Sequence, residues 1–157
     1  MYKNIVVALD GSELAETVLQ HVATVTKGCE EAQVTLLRVV EPIETTYADT
    51  LPPLTLDQSY QVQIAETAYA KKYLNEIAKK LTISGIKAAA VVLTGKAADS
   101  IVDYVNQNNA DLVVLASHGK SGISRWMWGS VTDRVIHHVC AAVLMVRAPG
   151  CGSLHKG

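Results

Sequence analysis

Residues 111–136 read DLVVLASHGKSGISRWMWGSVTDRVI, and the order of patterns in them sets the architecture. Leu112-Val113-Val114-Leu115 is a short, unbroken apolar run, the mark of a strand buried on both faces. Val131-Thr132-Asp133-Arg134-Val135-Ile136 has helical spacing. Between them, residues 116–130 carry Gly119, Gly122 and Gly129 together with the cations Lys120 and Arg125. A strand, a glycine-rich loop and a fresh helix N-terminus make a phosphate cradle. Glycine lets the backbone approach an anion, and the unpaired N–H groups of the helix point at it. Phosphate binding is the leading functional expectation.

The same alternation runs along the chain in both directions. Strands are expected at 4–9, 33–40 (QVTLLRVV), 86–93, 112–115 and 142–146. Helices are expected at 13–27, where Leu14, Val18, Val22 and Val25 share a face, then at 58–81, 97–108 and from 131 onward. Residues 41–57 hold Pro42, Pro52 and Pro53, which exclude regular structure. Strands separated by helices give an α/β fold with a parallel sheet and helices on both faces. The reading is one domain over residues 1–148 and a flexible tail over 149–157. In such sheets ligands sit beyond the carboxyl ends of the strands, where strand order reverses. The loops after Leu9 and Leu115 lie on that side and carry most of the polar chemistry.

With 157 residues the chain is long enough for a single sizeable core, and 49% hydrophobic against 18% charged residues suits a folded domain. A net charge of −1, with no lysine or arginine run, argues against a nucleic-acid or anionic-membrane surface. No secretory leader or bilayer-length apolar run is read, so a cytosolic protein is expected. Cys29, Cys140 and Cys151 match no disulfide or zinc spacing. Cys140, in an apolar stretch, reads as a small core residue. His137 and His138 are neighbours on a helix, point apart and cannot share a metal.

Gly119-Lys120-Ser121 invites comparison with a P-loop. That motif requires a glycine where Val114 stands, and the same test removes Gly95-Lys96, where Ala90 stands. The chain is not a P-loop nucleotidase. It resembles instead the nucleotide-binding branch of the universal stress protein family. The resemblance runs from Val6-Val7-Ala8-Leu9-Asp10-Gly11-Ser12 through Val143-Leu144-Met145-Val146-Arg147. Its centre is the family's Gly-x2-Gly-x9-Gly-[Ser/Thr] motif after the fourth strand. Gly119, Gly129 and Ser130 fill three of the four positions, and Ala116 replaces the first glycine.

The resemblance implies a Rossmann-like, adenine nucleotide alpha hydrolase-like sheet of five parallel strands in the order 3-2-1-4-5. It also implies a nucleotide site made of Asp10, Val39, Leu115, Ala116, Gly119, Lys120, Ser121, Gly129, Ser130 and Val131. Asp10 is expected near the ribose or a phosphate-bound metal, although a helix cap accounts for it equally. The Val39 backbone is expected at the adenine edge, and Leu115 either lines that slot or is plain core. Ser130 reads as an N-cap, a role compatible with a phosphate contact. Lys120 and Ser121 either follow the outer phosphates or are solvated loop residues. At Ala116 a left-handed backbone would exclude alanine, and its methyl group would crowd a ribose. Arg125 is a candidate for a terminal phosphate. Trp126 and Trp128 either cover the nucleotide, meet a partner or pack on the neighbouring helix.

The expected ligand is ATP, or AMP or ADP, with magnesium or manganese held by its phosphates. A homodimer through the strand at 142–146 is expected. No Ser-His-Asp set or carboxylate pair stands in a catalytic context, which favours a nucleotide sensor or regulator in stress response. The competing classes are a slow ATPase or nucleotidyl transferase on this fold, and a nucleotide-independent interaction module.

Overall fold

Five short runs rich in valine, leucine and alanine form the strands: β1 (Asn4–Ala8), β2 (Gln33–Val40), β3 (Lys87–Thr94), β4 (Leu112–Ser117) and β5 (Ala142–Arg147). The helices are α1 (Glu13–Glu16), α2 (Val18–Thr26), α3 (Leu56–Ile83), α4 (Ala97–Gln107) and α5 (Ser130–His138). The computed structural model describes residues 2–29, 31–42, 56–117 and 130–147. All strand pairs are parallel, and the sheet order is β3-β2-β1-β4-β5. The expected order is the observed one.

Strand periodicity divides the core into two layers. Ile5 and Val7 of β1, with Val34 and Leu36 of β2, face Val18 and Val22 of α2 and Leu74 and Ile77 of α3. Val6, Leu37 and Val113 point to the other side, against Ile101 and Val105 of α4 and Val135 of α5. β1 and β4 are therefore apolar on both faces, as their unbroken runs require. Each fully buried side chain such as Leu36 or Val114 contributes about 1.5–3 kcal/mol relative to exposure. No helix among the described residues is long and apolar enough to cross a membrane.

Two local features differ from the sequence expectation. The single helix expected over 13–27 is broken at Thr17. Its hydroxyl donates to the Leu14 carbonyl at 2.7 Å, and its N–H reaches the same oxygen at 3.1 Å. Bonding three residues back tightens the turn and interrupts the four-residue ladder. Cys140 is exposed rather than core. It sits in the turn between α5 and β5, where Asn106 Oδ1 accepts from its N–H at 3.0 Å. The end of α3 follows the sequence closely. Gly85, at φ +84°, closes it as the Gly85 and Ile86 N–H groups return to Thr82 and Leu81 carbonyls, both at 2.9 Å.

Candidate functional site

Strand order reverses between β1 and β4, the neighbours from which the chain departs toward opposite faces. At their carboxyl ends lies a cavity of about 240 Å³. Asp10, Val39, Leu115, Ala116, Ser130 and Val131 all line it, so six residues spread over 122 positions of sequence meet there. Gly119, Lys120, Ser121 and Gly129 lie outside the described residues, as do His118, Arg125, Trp126, Trp128, Cys151 and most of residues 41–57. Ala8, Leu9, Ala15, Leu37, Ala97, Ile101 and Thr132 complete the walls. The sequence reading did not name these seven for the site.

The cavity has an apolar body and a polar rim. Leu37, Val39, Ile101 and Leu115 make walls suited to a flat ring, and Leu115 is both core (4% exposed) and lining. The Leu9 N–H donates to the Leu37 carbonyl at 2.9 Å, one rung past the end of β1. Strand alternation then turns the Val39 N–H and carbonyl to the same side, one rung further on, where β1 has ended. The Gly95 N–H meets the Val40 carbonyl at 3.1 Å on the opposite side, in keeping with that alternation. An adjacent donor and acceptor in an apolar slot match the hydrogen-bonding edge of a purine with an exocyclic amine.

Two helix N-termini border the rim, and they are not equivalent. Ala97, first residue of α4, donates its N–H to Glu41 Oε1 at 2.8 Å. That end already holds a carboxylate from the chain itself. Ser130 is the first helical residue of α5, one place inside the helix from the expected N-cap. With Val131 and Thr132 it presents the first turn of α5 to the cavity. Thr132 is only 5% exposed. The α5 terminus is accordingly where an anionic group would meet helix N–H donors and the positive end of a helix dipole.

Asp10 takes part in the helix cap expected of it, and it also lines the cavity. Its Oδ1 accepts from the Ser12 N–H at 2.9 Å and from the Ser12 hydroxyl at 2.6 Å. Ser12 Oγ in turn accepts from the Ala15 N–H at 3.1 Å and caps α1. Asp10 thus orders the cap through Ser12 while standing at the cavity wall. Ala116 lies in extended strand, paired with Val146 across β4 and β5. Asn109 is the one non-glycine with positive φ among the described residues. The backbone at Ala116 therefore needs no glycine, and its methyl group simply forms part of the wall. Among the described residues no group of three histidine, cysteine or acidic side chains is placed to hold a metal.

The model of the universal stress protein family matches residues 1–147. The chain belongs to the universal stress protein family. A universal stress protein relative, MJ0577 of Methanocaldococcus jannaschii, is 30% identical over 156 residues, covering 94% of this chain and 96% of the relative. The solved structure of MJ0577 superposes with a TM-score of 0.77 over 94% of this chain and 96% of that one, at 29% identity. More distant structures share the fold. One is a universal stress protein in complex with cAMP, with a TM-score of 0.67 and 20% identity over 93% of this chain and 97% of its own. Another is a family protein from Arabidopsis thaliana with AMP bound, with a TM-score of 0.67 and 16% identity over 94% and 93% of the two chains.

Proposed function

We propose that this universal stress protein binds an adenine nucleotide in the crevice between β1 and β4 and works as a nucleotide-responsive regulator. The observation that carries the reading is the convergence of Asp10, Val39, Leu115, Ala116, Ser130 and Val131 on one cavity. The base enters the apolar slot and meets the Val39 backbone edge. The ribose lies against Ala116 and Asp10. The phosphates leave over the rim toward Ser130 and the α5 N-terminus, with Gly119, Lys120, Ser121 and Gly129 supplying the rest of the cradle. A cavity of about 240 Å³, below the ~300–1,000 Å³ of most ligand pockets, suits a nucleoside whose phosphates stay outside it. The AMP and cAMP complexes of the distant family structures support an adenine ligand.

ATP with magnesium or manganese is the specific ligand proposed, and its phosphates would hold the metal. Freshly purified protein, denatured and analysed for released nucleotide, should yield adenine species and no guanine species. Calorimetry with ATP, AMP and GTP is the direct check. Equal affinity for GTP would remove the purine-edge argument. Single-turnover incubation with ATP and magnesium should return ATP intact, whereas prompt release of ADP would move the protein to the ATPase class.

A further inference from the structure

The loop Asp10-Gly11-Ser12, which borders the proposed nucleotide site, rests on a cation that the site itself does not use. Arg38 is the single charged residue of β2. It lies in register with Leu36 and Val34, on the face of the sheet covered by α2 and α3. Its guanidinium carbon stands 5.7 Å from the ring centroids of both Tyr69 and Tyr73 of α3. A flat cation within reach of two aromatic rings one turn apart on a helix is attracted by their quadrupoles.

Gly11 reports what lies above it. At φ +89° it takes a conformation that favours glycine. A methyl group added there would sit 2.8 Å from Arg38 Nη1 and 3.1 Å from Cζ. The open side of the glycine therefore lies directly against the guanidinium. Arg38 Nη1 is buried and makes no hydrogen bond. A buried donor left unpaired is unfavourable for the fold, so stability alone does not account for an arginine here. Its neighbour Tyr73 feels both this cation and two carboxylates. Burial first, then the nearby Glu16 carboxylate, push the Tyr73 phenol well up; Arg38 opposes them and Asp10 adds to them.

We propose that Arg38 is a positioning residue. Its guanidinium, set beside Tyr69 and Tyr73, is the platform that fixes the Asp10-Gly11-Ser12 loop and couples α3 to the nucleotide site. Arg38 acts through the loop: Gly11 rests on it, and the Asp10–Ser12 turn keeps its shape as a result. The coupling to nucleotide rests on the proposed function; the positioning of the loop does not.

The test has two arms. Hydrogen exchange on nucleotide-free protein should show the Ser12 amide exchanging about tenfold faster in Arg38→Met, with β4 amides unchanged, because only local opening is altered. Unchanged Ser12 exchange, or uniform acceleration throughout the molecule, overturns the proposal. Calorimetry with ATP forms the second arm. Arg38→Met and Asp10→Ala should each lose affinity, and the double variant should lose no more than Asp10→Ala alone, the signature of two residues acting as a unit. Arg38→Lys, which keeps the charge but not the flat face, should recover part of the affinity. Additive losses would place Arg38 on the ligand by a separate route and overturn the positioning role. A wild-type protein that ignores ATP, yet shows the Ser12 effect, strikes the nucleotide reading and leaves the platform standing.

Discussion

Ser130 and Gly129 bear different parts of the proposed cradle, and their variants should separate accordingly. Ser130→Ala removes one hydroxyl and keeps the α5 N-terminus. A hydrogen bond to a charged group contributes about 1.5–3 kcal/mol, so ATP affinity should fall roughly tenfold to a hundredfold. Gly129→Val should abolish binding while the protein still folds, since a branched side chain blocks the backbone's approach to phosphate. Calorimetry beside thermal melts decides it; lost stability with unchanged affinity would make both residues mere helix-start structure. Ala116→Gly should behave in the opposite way. The position is extended strand, so glycine brings no conformational benefit and should lower stability by roughly 0.5–1 kcal/mol with ATP affinity unchanged. Asp10 and Ser130 were legible because loop chemistry and motif spacing mark them, and Val39 only through the family resemblance. Thr132 and Ile101 were not, because their positions look like ordinary helix residues until the fold turns them to one wall. Arg38 did leave a signal, a lone cation within an apolar strand, but only three dimensions show which loop it supports.

Single side chains at the element level tie strands and helices together, and one of them gives the fold an acid limb. Asp111 Oδ2 accepts from the N–H groups of Lys3 at 2.7 Å and Asn4 at 2.8 Å, fastening the start of β1 beside β4. The Asn4 bond first, then the Lys3 bond, hold its carboxyl below the ordinary 3.8. A depressed carboxylate stabilises the fold fully above its unfolded value and loses that contribution as pH falls through the lowered one. Urea midpoints should therefore decline below about pH 4, and Asp111→Asn should be less stable at neutral pH with a shallower acid decline. An equally steep decline in the variant would assign the limb to other carboxylates. Asn106 fastens α4 to the α5–β5 turn by donating to the His138 carbonyl at 3.1 Å and accepting from the Cys140 N–H at 3.0 Å. Asn106→Ala should lower stability by about 1–2 kcal/mol, read from the same urea curves. Element type and order were legible because burial on both faces leaves unbroken apolar runs. The break at Thr17 was not, because a threonine on a helix looks the same whether its hydroxyl reaches back three residues or points to water.

Across the whole molecule, the two edges of the sheet are backed differently, and that difference argues for how two chains would meet. β3 ends one side with Ala88, Ala89 and Ala90 before the half-buried Val91, Val92 and Leu93, and α3 packs against it. β5 ends the other with Val143, Leu144, Met145 and Val146, each only half-buried within one chain, whereas β1 and β4 are almost wholly enclosed. An apolar strand with an open row of backbone groups is a template for pairing, and pairing with its own copy satisfies both edges at once about a twofold axis. We therefore propose a homodimer through β5. The Ala142 N–H turns inward to the Asp111 carbonyl at 3.1 Å, so alternation turns those of Leu144 and Val146 inward and those of Val143 and Met145 outward. Met145→Pro removes an outward donor without breaking the rungs to β4, the kind of proline an edge strand tolerates. Light scattering should find a wild-type dimer at micromolar concentration and a folded Met145→Pro monomer. Asp10, Val39, Leu115, Ala116, Ser130 and Val131 converge on the cavity within a single chain, so the monomer should still bind ATP. A wild-type monomer, or a Met145→Pro variant that remains a dimer, would remove β5 as the interface, whereas a folded monomer that no longer binds ATP would mean that the partner completes the site.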